Sequence, residues 1–287
     1  MKAIFKKEFR GYFQGIIGWL FLALFLAFAG IYIYVDNILN GYPYFEVVLQ
    51  PLSMVLAFMI PMVTMRFMAE EKKQKTDQLL LTSGVPAEKI IAGKLLASFA
   101  LLGIAMAVLC PVPLGLALFG KINFITAYGA IFAFFLMGCA YLTIGAFVSC
   151  TTEHQILAAI LSYALIFFTL LSEGIGSLFE TDSTTAFVTF FILILAGVFG
   201  IHMLLRNKWI TGVAALVAEG GLILVKIIKP ALLEGKVAEL FGAFALTGKM
   251  NNFILGVFDL GGAVYYLSII VLFYFLSVQV VKNSGRN

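Results

Sequence analysis

The chain alternates long apolar runs with short polar breaks. Eight runs stand out, at about 16–35, 47–68, 95–119, 124–149, 156–178, 187–205, 210–228 and 262–281. About 20 apolar residues carry an α-helix through a bilayer, and each run is close to that length. Lipid-facing backbone must satisfy its own hydrogen bonds, which leaves only helices or closed barrels. A barrel would need apolar and polar positions to alternate strictly, and no run does so. The pattern therefore predicts an all-α, polytopic membrane protein with about eight spans. The weakest pair, 187–205 and 210–228, is joined only by Arg206, Asn207, Lys208 and Trp209. Without it six spans remain, and the ends stay on the same side.

Two segments are neither span nor plain loop. At the start, MKAIFKKEFRGYFQG, helical spacing puts Phe5, Phe9, Tyr12, Phe13 and Ile16 on one face. Lys6, Lys7 and Arg10 fall on another. Such a segment is expected to lie along the membrane surface as an interfacial helix over 1–15. The stretch 231–261 is apolar but broken by Gly and charge. It predicts surface or re-entrant helices within 230–261, before the last span.

Composition agrees with the pattern. The 287 residues are 62% hydrophobic and 12% charged, against roughly 25% charged in soluble domains. The net charge of +4 fits a positive-inside bias, so no nucleic-acid partner is expected. With the N-terminus inside, 14 Lys and Arg fall on cytoplasmic segments and five on outer ones. This predicts that both ends face the cytoplasm of a cell membrane. Cys110, Cys139 and Cys150 lie in or at the ends of apolar runs without metal-ligand spacing, and are read as packing residues. The basic start is followed by an apolar run too long for a signal peptide and without a small-residue cleavage site.

The densest polar insert is EEKKQKTDQLLLTSGVPAEKIIAGK, 70–94, which holds nine of the chain's 34 charged residues. Gly84 suits the left-handed end of a short helix. Pro86 suits the start of the next, with Glu88 in its first turn. One short cytoplasmic helix held between two spans is a lever for a soluble partner, since a contact there tilts both spans together.

This layout resembles the ABC-2 type transporter permeases, the membrane subunits of one class of ATP-driven exporters. The likeness is carried by Glu70, Glu71, Lys72, Thr76, Asp77, Gln78, Leu79, Leu80, Leu81 and Thr82, then Val85, Pro86, Ile91, Gly93 and Lys94. In that family the segment forms a coupling helix that docks in a cleft of the nucleotide-binding subunit. The resemblance thus implies a coupling segment over 69–94 that contacts cytoplasmic ATPase subunits. It also implies an N-terminal interfacial elbow and a second permease copy or related subunit. Phe244, Gly256, Asp259, Tyr265 and Tyr266 are similar to the gliding-motility-associated branch, which would add an envelope accessory protein. The likeness covers about 1–180 and 240–287. The pair within 187–229 is expected to lie outside the family's six-span core, as an added hairpin in a single transmembrane domain.

Charges inside spans are costly and point to function or pairing. Glu173, near the outer end of span five, reaches the headgroups or forms part of a polar site. Glu219, followed by Gly220 and Gly221, pairs with a cation, lines a cavity or stays protonated. Arg66 is expected to snorkel to the headgroups. Glu153 and His154, in the loop after span four, form a second candidate contact with an ATPase subunit.

No G-x-x-x-x-G-K-[ST] is present, so the chain is not expected to bind ATP by a phosphate loop. With two His and no H-E-x-x-H, a zinc or His-based enzyme is not expected. No cofactor is assigned, because ATP would belong to the partner. The competing readings are a gradient-driven secondary transporter with Glu219 as its proton site, an intramembrane enzyme, and a membrane scaffold of an envelope complex. The first needs matching broken helices in two halves, and only Gly220-Gly221 is seen. Spans with few buried charges suit a lipid-like or amphipathic cargo better than a small ion.

Overall fold

The computed structural model describes residues 1–76, 84–118, 120–178, 187–191, 226 and 235–284. All regular structure among them is helical. The elements are α1 (Lys2–Gln14), α2 (Ile16–Tyr32), α3 (Glu46–Thr64), α4 (Ala69–Lys73), α5 (Ala87–Leu109) and α6 (Val112–Leu116). Then follow α7 (Phe124–Thr151), α8 (Gln155–Leu178), α9 (Lys236–Phe244), α10 (Leu246–Ile254) and α11 (Leu260–Ser284). A π-helical stretch, Ile33–Leu39, continues α2.

Among the described residues, six helical segments are long and apolar enough to cross a membrane. They are Ile16–Leu39, Glu46–Lys73, Ala87–Leu116, Phe124–Thr151, Gln155–Leu178 and Leu260–Asn283. They coincide with six of the eight expected runs. The other two runs, with Glu219 and the Arg206–Trp209 link, lie outside the described residues apart from 187–191 and 226. The third span starts earlier than its apolar run suggests. Pro86 is extended (φ −63°, ψ 143°) and Ala87 opens the helix, in keeping with the helix start expected at Pro86, so Lys89 and Lys94 sit inside α5.

The chain divides into two units, Met1–Leu170 with Leu246–Asn287, and Leu171–Ala245. The first is built around α7, whose Phe134, Met137, Ala140, Tyr141 and Ala146 are buried. In lipid, helices gain nothing from leaving water, so their association rests on close packing, and small residues permit it. Gly145 of α7 backs onto Thr64 of α3, where a Cβ would overlap the threonine side chain. Gly138 likewise faces Leu102 of α5 and Leu56 of α3. Pro51 and Pro61 both lie inside α3, where neighbouring helices make such breaks tolerable. From α11, buried Tyr266 donates its hydroxyl to the Leu246 carbonyl at 2.6 Å and so fixes the start of α10.

In the second unit, Gly176 of α8 lies against Ala238 and Phe241 of α9. Val237 is buried with Phe187, Phe190 and Phe241 around it. Helix α9 here and α10 of the first unit have nine residues each, or about 14 Å, less than half of what a crossing needs.

Candidate functional site

The polar insert after α3 is where the sequence concentrates chemistry, and the structure gives it an anchor. After Thr64 the chain turns and α4 begins at Ala69. A helix of five residues cannot stabilise itself. Its first donors are taken by α7 instead. Ser149 Oγ accepts from the backbone N–H of Met68 (3.1 Å) and Ala69 (3.2 Å), and itself donates to the Met65 carbonyl (3.3 Å). One residue on, the Cys150 carbonyl accepts the Lys72 ammonium at 2.5 Å. A carbonyl in the last turn of α7 carries the negative end of the helix dipole, so a cation is favoured there.

Glu71 faces inward. Its Oε1 lies 3.0 Å from Lys94 Nζ of α5 and 3.7 Å from Lys7 Nζ of α1. Lys94 is only 4% exposed and is satisfied from several sides. Glu8 Oε1 of α1 stands 3.3 Å away, the Phe67 carbonyl accepts at 2.9 Å, and the Phe67 ring lies 5.7 Å from the ammonium. Burial of one ammonium is therefore compensated by two carboxylates, a carbonyl and an aromatic face. Glu71 Oε2 is buried and has no hydrogen-bond partner, so one acceptor of the cluster remains open.

This cluster ties together three elements distant in sequence: α1, α4 and α5. A second link runs beside it. The Tyr12 hydroxyl and Ser98 Oγ lie 2.8 Å apart, joining α1 to α5 one turn beyond Lys94. Burial pushes the Tyr12 phenol up to about 12, so it stays a neutral partner. Gly93 lets α1 lie close, because a Cβ there would stand 3.1 Å from Ile4 and 3.3 Å from the Met1 carbonyl. Gly15, extended at φ −91° and ψ 172°, separates α1 from α2. Phe5, Phe9, Phe13 and Trp19 form a chain of ring contacts along α1 into α2.

The remaining candidate residues fall as follows. Glu70 pairs loosely with Arg66 at 3.9 Å, and both are partly exposed. The Thr76 hydroxyl donates to the Glu71 carbonyl at 3.3 Å. Gln78, Leu79, Leu80, Leu81 and Thr82 lie outside the described residues. The segment is described again from Gly84, which takes the left-handed φ of 75°. Glu153 and His154 are exposed in the turn after α7, just past the Ser149 and Cys150 atoms that hold α4. They follow within four residues of the Cys150 carbonyl that accepts Lys72. Glu173 is exposed on α8, within the second unit, and Glu219 lies outside the described residues.

Two members of the site, Glu8 and Ser149, were not singled out from sequence. They carry no signal of their own in a single sequence. Lys94 does carry one. A lysine two turns inside an apolar helix must find anions, and the nearest acidic cluster in the chain is Glu70-Glu71.

The sequence profile described as ABC-2 family transporter protein matches residues 5–228. The chain belongs to that family. It is a multi-pass membrane permease of the ABC-2 type. The match runs through 187–228, the stretch expected to lie outside the family core, and ends before α11. Comparison with curated proteins gives no match.

Proposed function

We propose that the permease is the membrane subunit of an ATP-driven exporter and has no catalytic activity of its own. Cytoplasmic ATPase subunits dock on α4, the following segment 77–83 and the Glu153–His154 turn. Two permease copies, or one copy and a related subunit, form the pathway, with both chain ends in the cytoplasm. The observation that carries this reading is the buried Lys94 bridging Glu71 of α4 to Glu8 of α1. Because α4 is bonded to α5, α1 and α7, a push on it moves the inner ends of several helices at once. Binding of ATP changes the permease only if the nucleotide-bound partner prefers one of its conformations, and this cluster is where that preference would enter. Assignment to the gliding-motility-associated branch rests on Phe244, Gly256, Asp259, Tyr265 and Tyr266 alone, and is part of the same proposal.

The test is co-expression with candidate ABC ATPase subunits from the same genome, followed by purification and ATP turnover. Lys73→Glu with Leu80→Asp should abolish co-elution while the permease still purifies as a folded species. Glu71→Gln should keep co-elution but lose most of the permease-dependent stimulation of ATP turnover. Failure of any ATPase to co-elute with the wild-type chain would sink the reading.

A further inference from the structure

Two hollows of the first unit adjoin, one polar and one apolar. A cleft of about 210 Å³ opens between α1 and the inner end of α3. Glu8, Tyr12, Arg66, Glu70 and the Gly15 backbone line it. That space is several times the roughly 30 Å³ a water takes in the liquid. Its wall includes Ile17 and Val63, and these two residues also line the second hollow, a groove between α2 and α3. The groove is otherwise made of Leu20, Phe21, Leu24, Met59, Met62 and Met65. The groove is shallow, about 40 Å³, and charged groups and an apolar slot thus stand side by side at Ile17 and Val63.

The charges in the cleft are of both signs and loosely paired. Arg66 Nε stands 3.9 Å from Glu70 Oε2, whereas a direct charge-assisted bond closes at about 2.7–2.9 Å. Both side chains are partly exposed, at 49% and 37%. The gap suits a group that brings its own anion and cation and inserts between them. Trp19, exposed at the foot of α2, donates its ring N–H to the Phe13 carbonyl at 2.9 Å. Indole rings collect at the headgroup level of a bilayer, which places the cleft at that depth.

We propose that the cleft and groove bind one bilayer glycerophospholipid with an amine headgroup. Its phosphate sits on the Arg66 guanidinium, its ammonium on Glu70, and an acyl chain lies in the groove past Val63. Glu8 is already engaged by Lys94 at 3.3 Å, so Glu70 is the carboxylate left to meet the head. A head without an amine would leave it unmatched once Arg66 turns to the phosphate. The site borrows Glu70 from α4 but does not rest on the ATPase reading, and its lipid serves as a fixed wedge between α1 and the α2–α3 pair.

The test uses the full chain, purified in mild detergent and exchanged into nanodiscs containing equal parts phosphatidylethanolamine and phosphatidylglycerol. Native mass spectrometry after stepwise delipidation reads the adducts. The expected result is one phosphatidylethanolamine retained per chain. Arg66→Gln and Val63→Trp should each lower that adduct at least fivefold, while Lys121→Gln, on a remote loop, leaves it unchanged. Thermal unfolding and elution profiles confirm that the variants fold. Retention of phosphatidylglycerol as strongly as phosphatidylethanolamine would overturn the proposal. So would an adduct that Val63→Trp leaves intact, or a Val63→Trp chain whose main change is loss of self-association, which would make the groove an interface between copies.

Discussion

The Lys94 ammonium lies 3.0 Å from the Glu71 carboxylate, with Lys94 almost wholly enclosed. Removing one member of such a pair strands the other charge, a cost of about 3–5 kcal/mol. Glu71→Gln and Lys94→Met should each lower the thermal midpoint in detergent by several degrees. The double variant should recover part of the loss, which a double-mutant cycle would measure as coupling of roughly 0.5–3 kcal/mol. Raising salt should barely change the wild-type value, since buried pairs are poorly screened. Additive losses would show that the two side chains do not act together.

Ser149 should matter for α4 more than for α7. Its hydroxyl serves the Met68 and Ala69 amides, and a lost cap costs about 1 kcal/mol. Ser149→Ala should therefore accelerate hydrogen exchange over 68–73 while the α7 amides keep their protection. Equal acceleration in both would mean a general loosening of the bundle instead.

Two glycines of one helix should respond with opposite sign to the same change. Gly129 of α7 has open space where a Cβ would go, whereas Gly145 is pressed against Thr64. Gly129→Ala should stabilise by about 0.5–1 kcal/mol through helix propensity. Gly145→Ala should destabilise by about 1–3 kcal/mol through overpacking. Thermal unfolding of the two variants side by side checks this, and equal shifts would refute the α3–α7 contact.

Asp259 precedes α11 and accepts from Asn252 at 2.8 Å. That hydrogen bond, with help from the Gly262 and Gly261 amides, holds its carboxyl below the usual aspartate range. A depressed native value means the ionised form stabilises the fold. The contribution is complete above the unfolded value of about 3.9 and is lost as pH falls through the native one. Asp259→Ala should thus unfold earlier than wild type at neutral pH, and the difference should shrink in acid. A gap that is constant down to pH 3 would rule out this role.

Fold class was legible because transmembrane helices announce themselves by length alone. All six long helices among the described residues coincide with apolar runs of the sequence. Their ends were less legible, since a helix leaving the membrane need not stop. Hydropathy alone would start α5 near 95, whereas Pro86, read from the sequence as a helix start, marks the observed one at Ala87. The candidate site was legible in place but not in wiring. Glu70, Glu71 and Lys72 drew attention as a charged cluster. That Glu71 turns inward to Lys94, and that Lys72 reaches the end of α7, depends on helix packing that spacing along the chain does not encode. Glu8 was hidden among the basic residues around it.

Both anions that receive Lys94, Glu8 and Glu71, precede it in the chain. Synthesis runs from the N-terminus, and earlier segments can arrange themselves first. The lysine therefore enters the membrane behind its counter-ions and need not wait, unpaired in an apolar surrounding, for a later helix to arrive. Ser149 and the Cys150 carbonyl, made later, then fasten an already neutralised corner. The order of residues along the chain is thus also an order of assembly, in which the most costly charge is the last of its cluster to be made.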